Sequence, residues 1–559
     1  MEAIKNFYKQ FCTETFDESG KLTHFDVQYP DNFNFGYDVV DKLAEIAPDR
    51  VAMEWCNKAG ERRTFTFGQM KALSDKAANV FLSHGIGKGD MVMAILKRHY
   101  EYWYVTVALH KIGAVLIPAT NMLTVKDIVY RVNTASIKAI VCTNEGKVAD
   151  FVAEAQEKCP ALKQKYIVRE SRDGFIALTD EIEAASAELP RLENAATDPM
   201  MIYFTSGTTG EPKAVAHDFT YPLGHILTAK HWQCVQEDRL HMTVAESGWG
   251  KTSWGKIYGQ WICGASVFVY DFDRFVAKEL LEKLTEYKVT TFCAPPTIYR
   301  FLIKENLEEW DLSCIQHAST AGEALNFEIF KIFKDKTGLE IKEAFGQTET
   351  TLIIGNLAGG TDRPGSMGLP SPAYNIHLVD GDNNEITEPH VTGEIVVIPP
   401  KDKKQVGLFS GYINEDELYA HVWRGGIYHT GDTAYLDEDG YIWYVGRNDD
   451  IIKSSGYRIG PFEIESCLME NPAVLECAVT GVPSETRGYV VKATIVLAKG
   501  YEPSDALAKE LQEYVKHQTA PYKYPRIVEF IDEMPKTISG KIQREVIRQR
   551  DKIKYGVIE

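Results

Sequence analysis

The chain has 559 residues, 44% hydrophobic and 25% charged, which exceeds one ordinary core and predicts two or more domains. Its formal net charge of −18 argues against nucleic acid as a partner, because binding to phosphate backbones rests on clustered Lys and Arg. No apolar run reaches the length of a membrane span, and residues 1–20 mix acids with bases, unlike a signal or transit peptide; a cytoplasmic protein is expected.

From about residue 35 to 320, helix-like and strand-like segments alternate. KAIVCT (138–143), ASVFVYDF (265–272) and VTTFCAPP (289–296) read as strands, and FVAKELLEKLTEYK (275–288) as an amphipathic helix. Such alternation predicts α/β architecture with a largely parallel sheet. Between 375 and 445 the texture changes. NIHLVDGDNNEI and YLDEDGYIWYVG each place an acidic, glycine-containing turn between alternating runs, the pattern of hairpins. Further on, VVKATIVLAKG (490–500) reads as a strand, and PSDALAKELQEYVKH (503–517) as a helix capped by Ser504, with Leu507, Leu511 and Val515 on one face.

The predicted fold is α/β. A large N-terminal domain, 1–448, holds α/β subdomains and a small antiparallel β subdomain. A smaller, mobile α+β C-terminal domain, 449–559, follows a junction at Asp449. Ten cysteines, from Cys12 to Cys477, include no pair of C-x-x-C motifs and read as reduced thiols.

Residues 203–213, YFTSGTTGEPK, have the chemistry of a phosphate loop. Gly207 and Gly210 allow backbone amides to turn inward, the hydroxyls of Thr205, Ser206, Thr208 and Thr209 add donors, and Lys213 adds positive charge. It is not a Walker A loop, which needs lysine directly after its second glycine. Pro212 also removes an amide donor.

This stretch resembles the signature loop of the adenylate-forming superfamily, which includes acyl-CoA synthetases, peptide-synthetase adenylation domains and firefly luciferase. Five further blocks stand in that family's order: AGEAL (321–325), EAFGQTET (343–350), YHTGD (428–432), GRNDDIIKSSGYRIGPFEIE (446–465) and PKTISGK (535–541). The resemblance implies two half-reactions. A carboxylate attacks the α-phosphorus of ATP to give acyl-adenylate and pyrophosphate, then a thiol, usually that of CoA, displaces AMP.

The resemblance also assigns residues. Lys541, Thr348 and Lys213 are the candidate catalytic groups, with Lys541 supplying positive charge at the α-phosphate. Gly322, Glu323, Glu343, Ala344, Phe345, Gly346 and Gln347 fall in the adenine and phosphate blocks. Asp432 suits the two ribose hydroxyls, backed by Arg447. Glu349 is the candidate Mg²⁺ ligand, since a hard cation commonly pairs one carboxylate with substrate phosphates. Asp449 is the hinge about which the C-terminal domain turns between steps. After that turn, Ser455, Gly456, Tyr457 and Arg458 face CoA, and Arg487, Tyr524 and Arg526 offer charge and stacking or form an ordinary surface patch. Arg544, Arg548 and Arg550 follow Lys541 and by themselves read as a solvated basic helix.

The residue before Q-T-E bears on the acid. Acetate-activating relatives carry Trp there; this chain has Gly346, which lengthens the pocket, and bulk restored at 346 is expected to favour acetate. Residues 245–261 are the expected acyl wall, with Trp249 as first lining candidate and Trp254 serving equally as core. Over most of its length the chain is most similar to the medium-chain (butyrate-type) acyl-CoA synthetases. That implies ATP, CoA and a small carboxylic acid as partners, with a homo-oligomer possible. Other readings are a ligase that loads a carrier protein, a luciferase-type oxygenase and a non-catalytic sensor. No carrier domain follows residue 541, and the sensor reading is opposed by retention of Lys541 and Glu349.

Overall fold

Ala139–Cys142 is four buried residues in a row, the signature of a strand covered on both faces of a parallel sheet. In the computed structural model, which describes residues 6–205, 211–455, 457–537 and 540–557, this strand lies inside an eight-stranded sheet. The order is Gly411–Tyr412, Lys213–Asp218, Pro199–Thr205, Val115–Pro118, Met91–Ile95, Ala139–Cys142, Gln164–Ile167, Ile176–Ala177. From Pro199–Thr205 onward the strands are parallel. Lys213–Asp218 and Gly411–Tyr412 are antiparallel additions at one edge.

A nine-stranded sheet is parallel from Ile341–Phe345 through His317–Ala321, Thr291–Cys293, Leu240–Thr243 and Ser266–Asp271 to Val51–Asn57. Antiparallel strands close both of its ends. The strands read from 138–143, 265–272 and 289–296 are present, and the helix read from 275–288 runs Ala277–Glu286, burying Leu280, Leu281 and Leu284. In the core, Phe35 stacks on Trp261 at 6.2 Å and 9°, and Phe67 meets the same indole edge-on. The helix Phe67–Ser83 opens with a capping box: Thr66 Oγ1 accepts from Gln69 N, and Gln69 Oε1 from Thr66 N.

The chain forms two units. Both large sheets belong to the first, which runs to Thr205 and continues through Lys213–Asn375 and Pro399–His421. The second takes in Ile376–Ile398 and the chain from Val422 on. It contains a four-stranded antiparallel sheet in the order Ile376–Val379, Gly393–Val397, Tyr428–Leu436, Ile442–Arg447.

The hairpin read at 435–446 closes as expected, with Leu436 opposite Ile442. The one read at 375–386 keeps its turn, whose backbone amides at Asp382 and Asn384 donate to Asp380, but its second arm shrinks to a bridge between Val379 and Glu385. The run after that turn, E-I-T-E-P, offers one aliphatic side chain and ends in a proline without an N–H. Ile376–Val379 pairs instead with Gly393–Val397.

The remainder of the second unit is a five-stranded sheet dominated by the hairpin Val474–Ser484 and Gly488–Leu497. The helices Pro461–Met469, Asp505–Gln518 and Arg544–Tyr555 also belong to it. Ser504 Oγ accepts from Leu507 N, and Leu511 and Val515 are fully buried. Among the described residues, no helix is long and apolar enough to cross a membrane. All ten cysteines are free thiols.

Candidate active site

Thr205 faces Lys213 across the antiparallel pair Pro199–Thr205 and Lys213–Asp218, so the two ends of the signature loop meet at the mouth of one hairpin. Ser206, Gly207, Thr208, Thr209 and Gly210 lie outside the described residues, as does Gly456. Four residues beyond Lys213, His217 is fully enclosed and its Nε2 lies 2.7 Å from the Thr348 carbonyl oxygen. Burial pushes its pKa down to about 4. It is therefore neutral near pH 7, and because a carbonyl only accepts, Nε2 carries the proton.

The Q-T-E-T segment is a tight turn. Gln347 N donates to Thr350 Oγ1 at 2.9 Å, and Thr351 N donates to Gly407 O at 2.9 Å. The Glu349 backbone carbonyl accepts from Phe409 N at 2.8 Å, and its carboxylate Oε1 accepts from Tyr412 Oη at 2.8 Å. Sequence reading passed over His217 and Tyr412. Each lies on a short strand whose signal is burial, and each meets this turn from more than 60 residues away.

Glu343 is buried on the strand Ile341–Phe345, and its two oxygens accept from Leu325 N and Gly365 N at 3.1 and 3.0 Å. Burial pushes its pKa up to about 8. This carboxyl ties the A-G-E-A-L block to the strand that leads into Q-T-E-T. Ala344 is buried beside it and Phe345 is half-buried. Gly322 has φ +102°, a conformation side chains rarely adopt. Glu323 beside it is exposed.

At Gly346 an added Cβ would stand 2.4 Å from the Thr351 carbonyl oxygen and 2.5 and 2.7 Å from Cη2 and Cζ2 of Trp254. Trp254 is wedged between Trp232 and His225 and is the ring pressed against Gly346; Trp249 is half-buried. Bulk restored at 346 therefore meets main chain and an indole before it could line a pocket, which the sequence did not disclose.

In the second unit Asp432 is buried opposite Arg447 in the ladder. Its Oδ1 accepts from Tyr444 Oη at 3.1 Å, and its Oδ2 lies 3.5 Å from Arg447 Nη1. Tyr444 is a third residue missed from sequence, two places before the quoted block. Asp449 lies 3.4 Å from Arg447 Nε. His429, in the Y-H-T-G-D block, has its Nδ1 3.1 Å from Glu394 Oε2.

Lys541 is exposed at the end of a turn in which Thr537 N donates to Lys541 O and Lys541 N donates to Thr537 Oγ1. The helix that follows is not the solvated basic face its sequence suggests. Arg544 Nη2 contacts both oxygens of Glu465 at 2.8 and 2.7 Å, and Arg548 Nη1 donates to Asp450 Oδ1 at 2.6 Å. Arg544→Met is expected to destabilise the second unit by about 3 kcal/mol, because it leaves two largely buried carboxylates short of a partner. Urea unfolding measures this, and a change below 1 kcal/mol would mark the pair as a surface ion pair.

Just past the strand Ile452–Ser454, Ser455 N donates to Arg487 O and Arg487 Nη1 to Ser455 Oγ at 3.2 Å. The exposed Tyr457 ring stacks on Tyr522 at 4.0 Å and 10°. Arg526 lies over Tyr524, 4.9 Å from its centroid, and Arg458 is exposed. Tyr522 was not singled out, although the Y-K-Y spacing at 522–524 carries its signal.

Comparison with known proteins agrees with these blocks. The AMP-binding enzyme family model matches residues 40–413, and the AMP-binding enzyme C-terminal domain matches residues 463–541. The human mitochondrial acyl-coenzyme A synthetase ACSM4 is 41% identical over 93% of this chain and 91% of its own length. The rat mitochondrial acyl-coenzyme A synthetase ACSM3 is 39% identical over 97% and 95%. Among solved structures, the anthranilate CoA ligase AuaEII in complex with anthranoyl-AMP superposes with a TM-score of 0.85, at 27% identity over 94% of this chain and 98% of that one. A benzoate CoA ligase from Burkholderia xenovorans LB400 gives 0.79, at 25% identity over 92% and 100%. The chain belongs to the AMP-binding enzyme family and, within it, to the AMP-forming acyl-CoA synthetases, which join a carboxylic acid to CoA at the expense of ATP.

Proposed function

We propose that this acyl-CoA synthetase prefers acids larger than acetate: short to medium straight chains, branched acids or small aromatic acids. The observation that carries the reading is Gly346: it puts no side chain where acetate-activating relatives carry Trp, and the indole nearest to it, Trp254, comes from another element and is held back between Trp232 and His225. The anthranilate and benzoate ligases among the structural neighbours support including aromatic acids.

The residue roles follow the same reading. In the first unit, Thr205, Lys213 and the loop 206–210 hold phosphate, Gly322, Glu323 and 343–347 border adenine, and Thr348 meets the α-phosphate or the acid. Glu349 is the one carboxylate offered to Mg²⁺. Among the described residues no group of three or more His, Cys, Asp or Glu forms a metal cage, and a single hard oxygen donor suits a cation that arrives on ATP phosphates. Bound there, Mg²⁺ neutralises phosphate charge.

In the second unit, Asp432 and Arg447 take the ribose, and Lys541 supplies charge as the carboxylate attacks phosphorus and pyrophosphate departs. Asp449 starts the C-terminal domain, 449–559, and acts as its hinge. Residues 455–458, Arg487, Tyr524 and Arg526 serve CoA, whose sulfur then attacks the acyl carbon and releases AMP.

Carboxylate-dependent ATP–pyrophosphate exchange, run from acetate to octanoate with branched and aromatic acids, tests the acid class, with thioester assayed in parallel. Exchange is expected to peak beyond acetate; a maximum at acetate would overturn this preference. The free thiols fit a reducing compartment, and we place the protein in the cytoplasm. The mammalian relatives above are mitochondrial, so recovery from a mitochondrial fraction would overturn that placement.

A further inference from the structure

The turn that carries Thr348 and Glu349 is gripped from one side by a single edge of the eight-stranded sheet. Gly411–Tyr412 pairs antiparallel with Lys213–Asp218, Val215 opposite Tyr412 and Ala216 opposite Gly411. The ladder extends through Ser410 N to Ala216 O and Ile413 N to Ala214 O, at 2.7 and 2.9 Å. From the longer strand His217 donates to the Thr348 carbonyl. From the shorter one Tyr412 donates its phenol to Glu349 Oε1.

Two contacts near Glu349 do different work. The bond from Phe409 N fixes only the backbone carbonyl, leaving the three side-chain torsions free. Among the described residues, it is the phenol that donates to the carboxylate. Tyr412 is itself largely buried, its ring packed on Phe409 at 4.8 Å, so its hydroxyl is held where it is. A phenol donating to an ionised carboxylate makes a charge-assisted hydrogen bond. It uses one of about four acceptor positions on the two oxygens and leaves the rest for a cation.

We propose that Tyr412 is a positioning residue for the metal-binding carboxylate: its buried phenol orients Glu349, and its strand ties that orientation to the strand carrying Lys213. This rests on the reading of Glu349 as the Mg²⁺ ligand. Partners of this kind, which orient a ligand without touching the metal, commonly account for 10- to 100-fold in metal affinity or activity.

The test compares Tyr412→Phe, Glu349→Gln and the double variant in the full chain. Tyr412→Phe keeps the ring and its packing on Phe409 and removes only the hydroxyl. The first readout is equilibrium binding of α,β-methylene-ATP with and without Mg²⁺, which needs no turnover. The second is the Mg²⁺ dependence of pyrophosphate exchange, and thermal unfolding monitors the fold.

Tyr412→Phe is expected to cut the Mg²⁺-dependent gain in nucleotide affinity about tenfold, with metal-free affinity and Tm close to wild type. Glu349→Gln should lose the gain entirely, and the double variant should be no worse than Glu349→Gln, because two groups acting in series are not additive. A wild-type Mg²⁺ gain in Tyr412→Phe beside a lost gain in Glu349→Gln would overturn the positioning role and leave the metal reading standing. A wild-type gain in Glu349→Gln would overturn the metal reading itself. Loss of Tm with an unchanged Mg²⁺ gain would make the phenol purely structural.

Discussion

Lys541→Ala is expected to lower adenylate formation by about 10²–10³-fold while largely sparing thioester formation from preformed acyl-adenylate. The first half-reaction drives a carboxylate anion onto a triphosphate, and the developing negative charge at phosphorus is what a fixed cation stabilises. The second half-reaction breaks the bond between acyl carbon and adenylate oxygen. AMP is already a good leaving group there, and the attacking sulfur is the reagent that must be delivered.

Lys541 is suited to the first role. It is exposed, so its charge keeps the full hydration it can exchange for phosphate, and it ends a turn closed by Thr537. Three residues later the chain enters the helix Arg544–Tyr555, which Arg544 and Arg548 pin to Glu465 and Asp450. The lysine thus projects from a fixed base. Pyrophosphate exchange measures the first half-reaction; mixing synthetic acyl-adenylate with CoA measures the second. Equal loss in both would sink the assignment.

How much of this was legible depended on the range of the interaction. The strand Ala139–Cys142 shows itself because burial on both faces forces a continuous apolar run. The cap at Ser504 and the D-E-D-G turn are local chemistry. The family blocks could be read as strings because backbone, phosphate and hydroxyl chemistry constrains several adjacent residues at once.

What could not be read was pairing across the chain. Arg544 and Arg548 look like solvated charges until Glu465 and Asp450 arrive from 79 and 98 residues upstream. Tyr412 looks like an aromatic on a short apolar strand until Glu349 meets it. Glu343 sits in a quoted block, yet only the fold shows that both its oxygens hold backbone amides.

The acyl wall is the case with the largest consequence. Residues 245–261 contain Trp249, Trp254 and Trp261, and no period or composition says which indole points where. Trp261 went to the core, fully buried against Phe35 and Phe67. Trp254 went to Gly346. Trp254→Leu is therefore expected to move the preferred acid toward longer or bulkier side chains.

Each additional buried methylene contributes about 0.8 kcal/mol. An acid two carbons longer should thus gain roughly 15-fold in relative kcat/KM, at a stability cost below the ~3–5 kcal/mol of truncating a buried Trp to Ala. Gly346→Ala works from the opposite side of the contact. Its Cβ would overlap the Thr351 carbonyl and the Trp254 ring, so it should cost about 1–3 kcal/mol by overpacking and penalise the largest acids first.

The two variants separate a wall from a core. A tryptophan that merely fills the interior would lower Tm on replacement and leave the ranking of acids unchanged. One that ends the pocket must re-order that ranking, with Trp254→Leu and Gly346→Ala moving it in opposite directions. An unaltered order of kcat/KM from acetate to octanoate in Trp254→Leu would place the end of the pocket elsewhere.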